Sequence, residues 1–592
     1  MRAFERFPNL VTMFFTRAAE KRDAPMLWAK REGVWRPLSW AEVARQVASL
    51  AAALKAAGLR EGDRVMLVSE NRPEFCIGDL AIMAAGCVTV PTYTTNTERD
   101  HAHILENSGA RAAIVSTAKL AQTLLPAIVR SSTCEFLIAI EPLPHTGVRT
   151  LDFATMAGDA GADVAAVREA AAELRREDLA CLIYTSGTGG APRGVRQHHG
   201  AILCNVEGAV DIIAGDFGWE EDEVFLSFLP LSHAYEHSGG QFLPIGLGAQ
   251  IYYAEGLERL AANIEEVGPT IMVVVPRLFE LIRARLIKAI DKQGGVAKKL
   301  LDKAIELGGR EKLRLIDFPF RIAINLLLKP KVAKRFGGRM KALVSGGAPL
   351  NPEVGQFFSS LGLTLLQGYG QTEAGPVISC NRPAAGIRVD TVGPPLKGVE
   401  LKIADDGEIL VRGELVMHGY WRNEADTERV LRNGWLHSGD VGHLDEAGRL
   451  RITDRKKDLI VNDKGDNIAP QKVEGMLTLQ PEISQAMVSG DRRPYIVGLV
   501  VPDQEWLADW AAKKGLEPNL AALRDDPDLH RALIAAVDRV NADLSVIEKV
   551  RRITIADEAF SIANEQMTPS LKNRRHVIRA VYGARLDALY GG

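Results

Sequence analysis

Cysteine is scarce and scattered. Cys76, Cys87, Cys134, Cys181, Cys204 and Cys380 are the six in 592 residues, and no two form a CxxC pair. That spacing excludes a disulfide framework and a cysteine zinc site, and it suits a reducing, cytoplasmic compartment. No apolar run approaches the roughly 18 residues of a membrane span. The short patch Leu10 to Phe15 is followed by Arg17 and by no small-residue cleavage site, so it reads as an amphipathic helix and not as a signal peptide. An excess of one charge is missing too: 72 Lys and Arg face 75 Asp and Glu, a net charge of −3. No global basic field therefore points to nucleic acid. Internal repeats and low-complexity tracts are absent. What remains is a globular composition, 46% hydrophobic and 25% charged, on a chain too long for one core, so several subdomains are expected.

The most informative stretch runs from Tyr184 to Val195, through Thr185, Ser186, Gly187, Thr188, Gly189, Gly190 and Arg193. The apolar run Leu179 to Tyr184 leads into it and reads as a buried parallel strand. Glycine lets backbone N–H groups approach an anion, hydroxyls add donors, and the Arg193 guanidinium can fork onto phosphate oxygens. The stretch reads as a phosphate cradle; taken alone, it also reads as a surface turn. No Gly-Lys-Ser or Gly-Lys-Thr closes it, so it is not a Walker loop.

Strand and helix patterns alternate from Arg64 to Ser116, with further strands at Glu135 to Ile140, Val224 to Leu231, Ile251 to Ala254 and Ile271 to Val275. This predicts a largely parallel sheet covered by helices. From Lys288 to Lys341 cations interleave with apolar residues. That pattern fits either a solvated helical face or a surface that touches anionic lipid. Residues 399 to 454 read as β hairpins, with turns at Asp405-Asp406-Gly407 and near Gly448. The charged segment from Asp454 to Asp458 marks a boundary before a smaller α/β unit.

Four more stretches carry chemistry. His233-Ala234-Tyr235-Glu236-His237 spells His-x-x-Glu-His, but Pro230 and Gly239-Gly240 argue against the long helix a zinc site needs. Ser345 to Pro349 is a small-residue turn. Gln367-Gly368-Tyr369-Gly370-Gln371-Thr372-Glu373 sets an aromatic between glycines, where an exposed face could stack a base, and Glu373 can hold Mg²⁺ through oxygen. Gly434 to Asp440 places a carboxylate after a turn, fit either for ribose hydroxyls or for an Asx turn.

Together these stretches resemble the adenylate-forming (AMP-binding) superfamily, in order and over almost the whole chain. The resemblance is strongest to long-chain fatty acyl-CoA synthetases, through Val275-Pro276-Arg277, Asn467 to Pro470, Thr568-Pro569-Ser570-Leu571-Lys572 and the alanine-rich helical stretch from Trp506 to Val550. Gly189 stands where the family usually has Thr, and Arg193 where it has Lys. The resemblance implies an α/β fold. Its large N-terminal domain of helix-covered, mainly parallel sheets spans residues 1–454, with a β subdomain at about 390–454. A smaller mobile α+β domain follows at 455–592. It implies ATP-dependent ligation of a fatty acid to coenzyme A through an acyl-adenylate, with ATP, Mg²⁺ and coenzyme A as cofactors and co-substrates.

The roles implied are specific. Thr185 to Gly190 and Thr372 contact phosphate. Gly347, Ala348, Pro349, Gln367, Gly368, Tyr369 and Gly370 surround adenine. Asp440 and Arg455 reach the ribose, and Gly465 approaches pantetheine. His233 flanks the reacting carboxylate, Glu373 binds Mg²⁺, Arg193 and Lys572 offset negative charge, and Lys457 is the hinge. Three alternatives stay open: an acyl-AMP ligase loading a carrier protein, a synthetase for aryl or other acids, and a nucleotide-binding regulatory protein with impaired catalysis. Peripheral membrane contact stays open as well.

Overall fold

The computed structural model describes residues 4–144, 146–158, 161–185, 191–293, 295–308, 317–456, 458–568 and 572–591. The chain divides into two compact units. The first is Met1–Ala404, Leu410–Ser438 and Leu444–Arg451; the second is Asp405–Ile409, Gly439–His443 and Ile452–Gly592. Among the described residues no helix is long and apolar enough to cross a membrane.

Two large sheets build the first unit. One has seven strands in the order Thr150–Asp152, Phe136–Ala139, Ala112–Val115, Arg64–Val68, Val88–Thr92, Leu179–Thr185 and Arg193–His198. Every neighbouring pair is parallel except the last, which is antiparallel. The pleat sends alternate residues to opposite faces. Val65, Leu67, Ile114 and Ile183 enter one apolar cluster, while Met66, Val68, Val115 and Leu182 enter another. Burial on both faces is why these strands are almost continuously apolar.

The second sheet has eight strands in the order Val377–Cys380, Leu365–Gly370, Ala342–Ser345, Ile271–Val274, Val224–Ser227, Gln250–Tyr253, Pro25–Arg31 and Val34–Ser39. Its interior pairs are parallel and both outermost pairs are antiparallel. Residues 400–455 contribute a five-stranded sheet that includes Glu400–Ile403 and Glu408–Arg412. In the second unit, Ile483–Ser489 pairs antiparallel with Ile496–Pro502, which pairs parallel with Val550–Ile555. Helices Pro470–Leu477, Pro527–Asp543 and Arg575–Ala588 pack against this sheet around two apolar clusters. The α/β class expected from the alternation is the observed one.

Two expectations need correction. The Leu179–Thr185 strand is parallel to Val88–Thr92 on one side only; on the other it turns back onto Arg193–His198, so the cradle joins an antiparallel pair. The strand expected from Val224 to Leu231 ends at Ser227. Past it, the Asn71 side chain donates to Leu229 O (2.6 Å) and accepts from the Leu231 N–H (3.1 Å), taking over from the ladder. The expected amphipathic helix is present as Leu10–Lys21, with its apolar face inward. Leu10, Val11, Met13, Phe14 and Phe15 are all buried, and so is Arg17, which donates to Gly246 O and pairs with Glu20.

Candidate active site

The cradle itself, Ser186, Gly187, Thr188, Gly189 and Gly190, lies outside the described residues; its two flanks are defined. Thr185 ends one strand directly opposite Arg193, which begins the next. The His103 Nε2–H donates to Pro192 O (2.8 Å), a tautomer fixed because a carbonyl can only accept.

A third backbone runs along Arg193–His198. The His418 N–H donates to Arg196 O, the Arg196 N–H to Gly419 O, and the Trp421 N–H to Gly194 O at 2.7 Å. Gly194 is what admits this close approach, since a Cβ there would lie 3.0 Å from the Tyr184 ring and 3.3 Å from Trp421. The pairing points Tyr420 at the Thr372–Ala374 turn, where its hydroxyl donates to Glu373 Oε1 at 2.7 Å. The Arg193 guanidinium carbon sits 4.3 Å above the Tyr420 ring, and its Nη1 meets Asp426 Oδ2 at 3.0 Å. Burial, and then the Glu373 charge, push the Tyr420 phenol far above its usual range, so it stays a donor. Burial alone would raise the Asp426 carboxyl too, but its hydrogen bond to Arg193 and the attraction of that guanidinium outweigh this and hold Asp426 below the usual carboxylate range. The turn is pinned by Gln197, whose amide donates to Thr372 O (2.7 Å), and by the Met417 N–H on Glu373 O (2.9 Å).

Arg193, Thr372 and Glu373 are thus brought together, and Tyr420, Asp426 and Asn423 join them although no sequence motif singled them out. The aromatic pair Tyr420-Trp421 ahead of an Asn423 helix cap was the available signal. Its meeting with Glu373 depends on strand pairing across more than 200 residues.

Tyr369 and Gln367 lie on the strand Leu365–Gly370, paired on both sides. Tyr369 is therefore buried, and the open aromatic face expected from its flanking glycines is not present. Gly370 is required: a Cβ would stand 1.9 Å from Pro376 O. Gly347, Ala348 and Pro349 form an exposed turn. Tyr235 packs under it, its ring against Gly346 and its hydroxyl donating to Val344 O (2.9 Å). The His233 segment and this turn are therefore neighbours. His233 is half-buried, and its Nδ1 accepts the Tyr235 N–H. His237 is a core residue bonded to Asp79 (2.9 Å). Glu236 is buried on Ser227 (2.6 Å), and burial pushes its carboxyl up to about 8.

In the second unit Asp440 is buried and meets Arg455 Nε at 3.2 Å, so the two candidate ribose ligands are adjacent. The Gly439 N–H donates to Glu408 Oε1, and Lys456 pairs with Asp406 at 2.6 Å. Lys457 lies outside the described residues, as do Pro569, Ser570 and Leu571. Gly465 occupies an open loop at φ 86°, held by Asn462, whose side-chain oxygen accepts the N–H groups of Lys464 and Asp466. Lys572 is half-buried; its N–H donates to Thr568 Oγ1 (3.0 Å) and its carbonyl accepts the Thr568 N–H (2.8 Å).

Residues 14–421 match the family model described as AMP-binding enzyme, and residues 457–592 match that of the AMP-binding enzyme C-terminal domain. The chain is 34% identical to a long-chain-fatty-acid–CoA ligase, FadD15, of Mycobacterium tuberculosis, over 98% of this chain and 97% of that protein. It is 29% identical to the peroxisomal long chain acyl-CoA synthetase 7 of Arabidopsis thaliana, over 93% and 81%. Among solved structures, the adenylation domain of a carboxylate reductase from Mycobacterium chelonae superposes with a TM-score of 0.75 at 22% identity, over 99% of this chain and 92% of that one.

The buried Glu236 carboxyl carries a pH signature. Its folded value lies above the ordinary value, so its contribution to stability is full below about pH 4.5 and is lost as pH rises towards 8. At about 1.4 kcal/mol per pH unit, this amounts to up to about 5 kcal/mol. Glu236→Gln keeps the shape without the charge. Urea unfolding at pH 5 and pH 8 should show the variant gaining on the wild type as pH rises; a parallel pH dependence would mean that Glu236 is ionised in the fold.

Proposed function

This chain belongs to the AMP-binding enzyme family, and from that premise we propose that it ligates a long-chain fatty acid to coenzyme A through an acyl-adenylate, releasing AMP and pyrophosphate. The observation that carries this reading is the end-to-end likeness to a long-chain-fatty-acid–CoA ligase at 34% identity. ATP and coenzyme A are co-substrates and Mg²⁺ is the metal.

The residue roles follow from chemistry. Attack of a carboxylate on the α-phosphate brings like charges together, so the chain has to supply positive charge and position. Arg193 and Lys572 supply the charge; Thr185, the cradle through Gly190 and Thr372 supply phosphate donors. Glu373 suits Mg²⁺. Tyr420 takes one of its oxygens, and a single carboxylate is what Mg²⁺ uses when substrate phosphates and water complete its shell. Mg²⁺ bound there would neutralise phosphate charge. Asp426 and the Tyr420 ring orient Arg193, whose planar fork needs a fixed direction to meet phosphate oxygens. The turn Gly347 to Pro349 and the strand Gln367 to Gly370 receive adenine. Asp440 and Arg455 receive the ribose, and His233 lies at the reacting carboxylate.

We read residues 1–454 as the adenylation domain, with its β subdomain at about 390–454, and 455–592 as the mobile domain. Rotation about Lys457 exchanges Lys572, used in adenylation, for the loop around Gly465, used with coenzyme A. Six free cysteines suit a cytoplasmic location.

The deciding assay is acid-dependent AMP release with ATP and Mg²⁺, across acids from acetate to oleate plus benzoate, with and without coenzyme A. AMP turnover that requires coenzyme A and peaks for long chains is expected. Acyl-AMP without thioester would make the protein a carrier-loading ligase, and no AMP with any acid would make it a regulatory nucleotide binder.

Two sets of variants test the roles. Tyr420→Phe removes a hydrogen bond to a charged group, so adenylation should fall about 10-fold and need more Mg²⁺; an unchanged Mg²⁺ titration would separate Tyr420 from metal binding. Lys572→Ala should depress adenylation about 100-fold or more while sparing thioester formation from supplied acyl-AMP. Equal losses in both half-reactions would remove Lys572 from its assigned step.

A further inference from the structure

One surface of the first unit is built against the usual rule. A continuous helical run consists of the helix Phe318–Ala323, a π-helical turn Ile324–Leu328 and the helix Lys329–Arg335. Its inward row is Ile324, Leu328, Val332 and Phe336, all buried. A helix on a protein surface normally pairs such a stripe with a polar outer face. Here the outer face is apolar as well: Phe318 is 63% exposed, Leu326 70% and Leu327 54%, with Phe320 and Ile322 each at 45%. Leu257 and Val129, also exposed, stand singly, which is ordinary for a soluble surface. Five within ten residues make a patch, and patches of this kind mark interaction sites.

The charges beside the patch say what it meets. From Phe318 to Arg335 the sequence holds five cations, Arg321, Lys329, Lys331, Lys334 and Arg335, and no Asp or Glu. Arg321, Lys331, Lys334 and Arg335 are exposed. The order along the run is also informative: the apolar residues come first and the cations cluster at the C-terminal end. Aromatic and aliphatic side chains that can enter the acyl boundary, next to lysines and arginines that can stay at phosphate level, complement an anionic bilayer surface. A protein partner would more commonly meet an apolar centre ringed by mixed charge.

We propose that residues 318–335 dock this protein on anionic membrane, with Phe318, Phe320, Ile322, Leu326 and Leu327 in the interface and Lys331, Lys334 and Arg335 on lipid phosphates. The docked protein then meets long-chain acids where they partition. Membrane binding stands on the surface alone; only the acid-delivery consequence rests on the ligase reading. None of the residues involved has been placed in the catalytic machinery.

Co-sedimentation with vesicles tests this directly, using phosphatidylcholine alone and phosphatidylcholine with phosphatidylglycerol. The wild type should pellet with the anionic vesicles, pellet at least 10-fold less with the neutral ones, and be released by high salt. Leu326→Glu/Leu327→Glu should abolish pelleting, and Lys331→Glu/Lys334→Glu should weaken it selectively for anionic vesicles. Both pairs are exposed, and thermal melts matching the wild type check the fold. With octanoate in solution both variants should turn over like the wild type. With oleate supplied in anionic vesicles they should lose several-fold, mainly through a raised apparent KM. The proposal fails if the wild type stays in the supernatant with every lipid, or if the leucine variant pellets as the wild type does. It also fails if that variant abolishes a concentration-dependent dimer in sedimentation velocity without changing vesicle binding, since the patch then meets a second copy. Inactivity of the wild type on octanoate would sink the ligase reading and leave the binding result standing.

Discussion

The hydrogen bond from the Tyr420 hydroxyl to Glu373 is the contact around which the first unit's candidate site is arranged. Its donor comes from the segment that follows the Glu408–Arg412 strand, and its acceptor from a one-turn helix after Leu365–Gly370. The flat face of the same phenol carries the Arg193 guanidinium. One side chain therefore ties a carboxylate, a cation and two sheets into fixed relation. Because the phenol is held far above its usual range, it remains a donor at any pH the protein would meet. The arrangement is directional: Glu373 accepts from the phenol through one oxygen, and Asp426 sets the heading of Arg193 without cancelling its stacking.

Backbone pairing makes this precise. Residues 418–421 lie along Gly194–Arg196 in a short antiparallel bridge, and Gly194 lets them come close. Catalytic groups carried on paired strands are held more tightly than groups on free loops. Gln197 and Met417 hold the Thr372 turn from opposite sides through main-chain oxygens, so Glu373 is positioned by its backbone as well as by its side chain.

Much of this was legible in the sequence, and what was not has a common cause. Local signals were readable: buried strands from continuous apolar runs, and the turns at Gly407 and Gly448. The Asp440–Arg455 adjacency was implied by family resemblance and not by spacing. What escaped reading was non-local. Tyr420 is an unremarkable aromatic until a strand far away in sequence pairs beside it. Tyr369 looked open between two glycines, but those glycines serve sheet pairing and the approach of Pro376. The helix Leu10–Lys21 was readable as a helix, but Arg17 within it is buried on a carbonyl and beside aromatic rings, a solution no periodicity reveals.

The antiparallel bridge at 418–421 also settles how the seven-stranded sheet ends. Without it, Arg193–His198 would present a row of unpaired N–H and C=O groups, the template on which chains join edge to edge. At the far edge the sheet closes differently, with Thr150–Asp152 only three residues long and turning at once into a helix that Asp152 caps. The eight-stranded sheet ends on Val34–Ser39, where Pro37 has no N–H to offer, and on Val377–Cys380, whose outer side bonds to residues 394–396. All four margins are blunted, one of them by the segment that delivers Tyr420. A lesion in that segment would therefore have two separable costs, a misaligned carboxylate and an unsealed sheet prone to self-association.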